Sequence, residues 1–129
     1  MTVPITTLRS TIAAALASAA WSTSAYPLST VLANSVTVAP ADPYITPSNN
    51  SRATISPMAN FRIIMVVPMW DNAANFIGIE DMSVAVFNLL AASSIVFNVS
   101  SVSAPSVLSV ASGDLLTADI TINVLTAWS

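Results

Sequence analysis

The charged side chains are the residues of this chain best suited to chemistry, and they are few. Charged residues make up 7% of the 129 residues and hydrophobic residues 54%, whereas a typical soluble domain is about 25% charged. The charged residues are Arg9, Arg52 and Arg62 together with Asp42, Asp71, Glu80, Asp81, Asp114 and Asp119. Enzymatic chemistry would therefore have to come from a pair of carboxylates.

The spacing of the acids argues against such a pair. Glu80 and Asp81 are neighbours on a predicted helix, about 100° apart, and cannot converge on one substrate atom. The other acids fall in turns, at a helix start and in a strand, where solvated or capping acids are expected. A carboxylate metal site at Asp114 has no supporting motif.

The residue types that most enzymes use are missing as well. Histidine, cysteine and lysine are absent, so the commonest general bases, thiolate nucleophiles and Schiff-base amines are lacking. There is no G-x-S-x-G sequence and no glycine-rich phosphate loop. We therefore predict a protein that is not an enzyme and that holds no cofactor or metal.

The charge balance also bears on partners. Three arginines cannot build the basic surface that nucleic-acid binding needs. A net charge of -3 would instead let DNA pass a surface without adhering to it. So few charges leave a free monomer poorly protected against association, which predicts that copies of itself or other proteins cover much of the surface.

Two segments superficially resemble targeting or membrane signals. The largely apolar stretch Thr11–Ala20 comes after the positively charged Arg9, as the apolar region of a signal peptide would. This region is short, alanine-rich and interrupted by Thr and Ser, so we expect that it is not cleaved as a signal peptide. The stretch Met82–Gly113 carries no charge, yet it contains Asn88 and Asn98 and lacks flanking Lys or Arg anchors. We predict that neither segment spans a membrane.

Two helices are predicted. The first covers Thr6–Ala20, with Thr6 or Thr7 as its cap, and the second covers roughly Ala73–Ala92, with Asp71 or Asn72 as its cap. Apolar residues recur at helical spacing in both: Leu8, Ile12, Leu16 and Ala19 in the first, and Phe76, Ile79, Met82 or Ser83, Val86, Leu89 and Leu90 in the second. Glu80 and Asp81 are expected on the solvent side of the second helix.

Four strands are predicted from alternating or continuous apolar residues. They are Ser35–Ala39, Ala59–Met69, Ile95–Val102 (with continuation to Val110 past Pro105 left open) and Leu116–Thr126, with Ser112-Gly113-Asp114 as the last hairpin turn. The order α-β-β-α-β-β predicts a single α+β domain over residues 1–129, in which two helices pack on a mostly antiparallel four-stranded sheet.

Several residues are candidates for contacts. Trp21, Trp70 and Trp128 each fall at the end of a predicted element, as core-rim residues or as anchors between subunits. Arg62 lies in an apolar strand and needs a partner, either Asp119 on a neighbouring strand or an acid on another subunit.

The most polar stretch, Thr46–Met58, predicts a projecting loop or hairpin arm between the first two strands. We expect this arm to dock on a partner. Its candidate contact residues are Asn49, Asn50, Arg52 and Ile55.

The chain resembles a known family in the order and length of its elements. The similar segments are Leu8-Arg9, Ile12-Ala13 and Leu16 of the first helix, Val36–Ala39, Asp42-Pro43-Tyr44-Ile45, Phe61–Val67, Trp70-Asp71-Asn72, Val102–Val107 and Leu116–Val124. In these features it resembles the tail terminator, or tail completion, proteins of phages with long non-contractile tails. The scarcity of charge departs from many members and disfavours ring interfaces built on salt bridges.

The resemblance implies a structural virion protein with a fold of the lambda terminator type. It implies a homo-hexameric ring, assembled in the host cytoplasm and placed in the neck, that ends polymerisation of the tail-tube protein. The ring would join the tail to a head-closure or connector protein, with DNA passing through its lumen. Another virion subunit, such as a head-closure, tail-tube or capsid decoration protein, would share the composition and remains the alternative.

Overall fold

Two long antiparallel strands form the centre of this protein, and shorter strands extend the sheet on both sides. The computed structural model describes residues 3–19, 21–25, 34–46, 57–68, 72–110 and 113–127. The elements are β1 (Val3–Pro4), α1 (Ile5–Ala15), β2 (Ser22–Ser24), β3 (Ser35–Thr46), β4 (Met58–Pro68), α2 (Asn72–Ala92), β5 (Phe97–Val102), β6 (Ser106–Val110) and β7 (Gly113–Ala127).

The strands form one mixed sheet. Its order is β1-β7-β4-β3-β2, and β5 and β6 also pair with β7. Pairing is parallel between β1 and β7 and between β2 and β3, and antiparallel elsewhere. The α+β class is therefore correct, but the predicted four-stranded sheet is wrong, because seven strands take part.

The additional strands have different causes. The predicted strand Ile95–Val102, whose continuation past Pro105 the sequence left open, corresponds to β5, and a separate strand β6 begins at Ser106. Pro105 between them has no N–H for the ladder. The strands β1 and β2 contain only two and three residues. Such segments are too short to show a periodicity of their own, and they become strands because a long neighbour pairs with them.

The first helix is shorter than predicted. It ends at Ala15, and the carbonyl of Leu16 accepts hydrogen bonds from the Trp21 indole at 3.0 Å and the Thr23 hydroxyl at 3.3 Å. The threonine cap is also wrong: Pro4 occupies the N-cap position without a side-chain bond, and the Thr7 hydroxyl donates to the Pro4 carbonyl at 3.2 Å.

The core lies between the helices and one face of the sheet. It is formed by Leu8, Ile12 and Leu16 of α1, Ile79, Met82, Val86 and Leu90 of α2, and the inward residues of β3, β4 and β7, such as Val36, Phe61, Ile63, Met65, Ile120 and Ile122. The predicted buried faces of both helices are thus largely confirmed. Glu80 and Asp81 are exposed, as predicted, and the side chain of Phe76 lies outside the described residues.

The strand β4 is central, since it pairs with β3 on one side and β7 on the other. The hairpin between β6 and β7 differs from the prediction at its turn. Val110 pairs with Gly113, so residues 111–112 connect the strands, and Gly113 and Asp114 belong to β7. The predicted turn Ser112-Gly113-Asp114 is therefore wrong at Gly113 and Asp114, and Ser112 lies outside the described residues.

Candidate interaction surface

An uncharged apolar surface lies where α2 meets the edge strand β5. Its exposed side chains are Val84 and Phe87 of α2, which are 59% and 48% exposed, and Val99 and Val102 of β5, which are 38% and 52% exposed. We call these four residues the α2–β5 surface. Large apolar side chains grouped in this way on a soluble domain mark a site of interaction.

A groove runs along this surface. Its volume is about 260 Å³, and it is lined by Ser83, Val84, Phe87, Leu90, Val99, Val102 and Ile120. Ser83 is the polar residue among the described residues that line the groove, and its hydroxyl donates to the Ile79 carbonyl at 2.8 Å within the helix. The groove is therefore suited to apolar side chains rather than to a charged ligand.

The helix sequence explains the exposed half of the groove. Val86 and Leu90 face the core and are buried. Val84 and Phe87 are three residues apart and share the adjoining face, where a helix at a protein surface usually carries polar residues. The helix α2 is thus more apolar than its burial within one chain requires.

The edge strand β5 supplies the other side of the groove. Phe97 packs against Phe87 with ring centroids 6.0 Å apart at an angle of 70°, an edge-to-face arrangement. Further along the same margin, Val96 is 54% exposed and Leu125 is 38% exposed beside a second groove of about 300 Å³. Exposed apolar residues thus continue beyond the α2–β5 surface.

The structure places two of the candidate contact residues. Trp21 is half-buried against the core, which favours the core-rim interpretation for this tryptophan. Arg62 forms an ion pair with Asp119 at 3.2 Å, which is the first of the two partners that the sequence left open.

The other candidates lie outside the described residues. They are Trp70, Trp128, Asn49, Asn50, Arg52 and Ile55. The arm Thr46–Met58 is described only at its ends, where Thr46 and Met58 pair across β3 and β4.

The α2–β5 surface was missed by sequence reasoning. The sequence does contain one indication, the charge-free stretch Met82–Gly113, which superficially resembles a membrane segment and includes the exposed Val84, Val99 and Val102. Within the described residues, no helix combines the length and apolarity needed to cross a bilayer.

The acids that the structure describes do not form a cluster. Asp42, Glu80, Asp81 and Asp114 are exposed, and Asp114 accepts a hydrogen bond from the Ser109 hydroxyl at 3.0 Å. In the described ranges, no group of three or more acids could hold a metal ion.

Fold and surface together define an α+β domain with a group of exposed apolar side chains where α2 meets β5. No protein-family model matches the chain, and no curated protein matches it either.

Proposed function

We propose that this chain is a structural subunit of a phage virion that assembles with copies of itself into a ring in the neck. In this proposal the ring, a homo-hexamer, ends the polymerisation of the tail tube and joins the tail to the head-side connector. The observation that carries the proposal is the α2–β5 surface, because four exposed apolar residues without a charge among them favour contact with protein.

The composition supports the same conclusion. Only 7% of the residues are charged, so few charges oppose association when copies approach each other. Heterologous contacts that close on themselves fix the number of subunits and leave a ring with two different faces. One face would bind the tail-tube protein and the other the head-closure protein.

The lumen of such a ring has to let DNA pass. A subunit with three arginines and a net charge of -3 offers little to hold phosphates by counterion release. DNA would therefore move through the ring without specific binding.

Negative-stain imaging with native mass measurement on the same sample tests the proposal. The purified protein is imaged alone and after mixing with tail tubes. Six-fold rings, or one additional ring at one end of each tube, are the expected result. A monomer that leaves tube ends unchanged would contradict it, and binding to capsid shells instead would favour a decoration protein.

A further inference from the structure

Two carboxylates lie at one end of the α2–β5 surface. Glu80 is four residues before Val84 and seven before Phe87, so these three side chains share one face of α2. Asp81 follows Glu80, and both acids are exposed. Among the residues that the structure describes, neither carboxylate has an ion pair or a hydrogen bond. The apolar groove therefore ends at two acids that can accept a positive partner.

The chain has three arginines that could supply this positive charge in an assembly of copies. Arg62 pairs with Asp119 of its own chain, and Arg9 of α1 also has an interaction of its own. Arg52 is the only charged residue in the sequence of the arm Thr46–Met58. The arm therefore carries the charge that complements the acidic end of the groove.

The spacing of residues in the arm fits this surface as well. Ile55, an aliphatic residue of the arm, comes three residues after Arg52. Three residues of extended chain cover about 10 Å, and the seven residues from Glu80 to Phe87 rise about 10 Å along a helix. With Arg52 beside Glu80, Ile55 therefore reaches the apolar part of the groove.

The arm is joined to the domain beyond the last pair of the β4–β7 ladder. Met58 lies opposite Leu125, and the Thr126 N–H donates to the Pro57 carbonyl at 3.1 Å. Pro57 therefore continues the line of β4 past that pair and away from the centre of the sheet.

This connection keeps Ile55 out of the groove of its own chain. Ile120 lines the groove and lies six residues along β7 from Thr126, a distance of about 20 Å. Ile55 is two residues before Pro57, and two residues of chain reach only about 7 Å. An arm that fills the groove therefore has to come from another copy.

We propose that the arm of one copy docks in the α2–β5 groove of the next, with Ile55 among the apolar side chains and Arg52 beside Glu80 and Asp81. The inference rests on the proposed ring and identifies its contact. Arm and groove are different surfaces of one chain, so each subunit offers both. Contacts of this heterologous kind can close into a ring.

A pair of introduced cysteines tests the contact, because the native chain contains no cysteine. The variant with both Ile55→Cys and Val84→Cys is oxidised at concentrations where the protein assembles and is then run on a denaturing gel without reductant. Links from the arm of one copy to the groove of the next should give a ladder of covalently joined copies, because a disulfide requires close approach of the two residues. Val84 is 59% exposed, so the fold should be retained, and thermal unfolding checks this.

The matched control combines Ile55→Cys with Ser10→Cys. Ser10 is an exposed residue of α1 and is not part of the groove lining, so this pair should give few linked copies. Charge reversal is a second test. Arg52→Glu should weaken association by about fivefold or more in sedimentation, and adding Glu80→Arg should restore part of the loss.

The outcomes separate this inference from the proposed function. Rings that form while both cysteine pairs stay unlinked, or are linked equally, would refute the docking and leave the ring intact. A link within one chain, seen as a monomer that migrates faster than the reduced protein, would overturn docking between copies. Shielding of the Val84→Cys thiol from a maleimide only after tail tubes are added would identify the tube protein as the occupant and also overturn it. A protein that neither assembles nor caps tubes would contradict the proposed function itself.

Discussion

Asn60 of β4 and Asn123 of β7 lie directly opposite each other, and the Asn123 side-chain amide donates to Asn60 Oδ1 at 2.6 Å. The Asn60 amide in turn donates to the Pro43 carbonyl at 2.9 Å and to the Thr46 hydroxyl at 3.0 Å. Asn60 is 7% exposed. One buried side chain therefore joins β7 to the irregular end of β3, from which the arm begins.

Removing this side chain should destabilise the protein. Asn60→Ala removes the three hydrogen bonds of a buried side chain, which together contribute about 1–3 kcal/mol. Urea denaturation measures the loss. Asn98→Ala is the matched control, because Asn98 of β5 lies opposite Asn123 of β7 but is exposed. This substitution should change the free energy of unfolding by no more than about 0.5 kcal/mol. Equal losses would contradict the proposed importance of the buried network.

The ion pair between Arg62 and Asp119 should contribute little to stability. Its side chains are 46% and 27% exposed, and exposed pairs typically contribute about 0.2–1 kcal/mol. A double-mutant cycle with Arg62→Met and Asp119→Asn should give a coupling within that range, and the coupling should fall as salt screens the charges. A coupling of several kcal/mol that persists in high salt would show that the pair is desolvated, for example by a neighbouring subunit.

The α2–β5 surface should tolerate a charge in the monomer but not in the assembly. Val84→Lys changes a residue that is 59% exposed, so the free energy of unfolding should change by no more than about 0.5 kcal/mol. Ring formation should be lost, because each interface would have to bury an ammonium group. Native mass measurement and thermal unfolding check the two expectations.

Val86→Lys is the control for that substitution. Val86 lies two residues along the same helix and is fully buried, so a lysine there should prevent folding altogether. Rings that form normally with Val84→Lys would exclude the α2–β5 surface from the contact.

The arm between β3 and β4 should be dispensable for folding but needed for joining heads to tails. Thr46 and Met58 are paired, so Pro47–Pro57 can be replaced by Asn-Gly, which favours a two-residue hairpin connection. The thermal unfolding of this variant should resemble that of the native chain. Complementation of a phage that lacks the gene should then yield separate heads and tails, and normal infectious particles would contradict the docking role.

Local sequence patterns were sufficient to predict the existence of the two helices, the central strand β4 and the strand β7 with its alternating apolar residues. Their apolar spacing reflects burial on one face, which depends on the residues of the element itself. The sequence named Asp119 as one of two candidate partners for Arg62, and the structure shows that pair. The scarcity of charge predicted that other protein covers part of the surface, but it did not indicate which part.

The remaining features depend on residues that are distant in the sequence and adjacent in the fold. Val3–Pro4 and Ser22–Ser24 are strands only because β7 and β3 supply their hydrogen bonds, and α1 ends early because Trp21 and Thr23 return to the Leu16 carbonyl. The α2–β5 surface likewise depends on which strand lies at the margin of the sheet. A valine in a central strand is core, whereas the same residue in an edge strand is open to a partner, and strand order is set by packing of the whole chain.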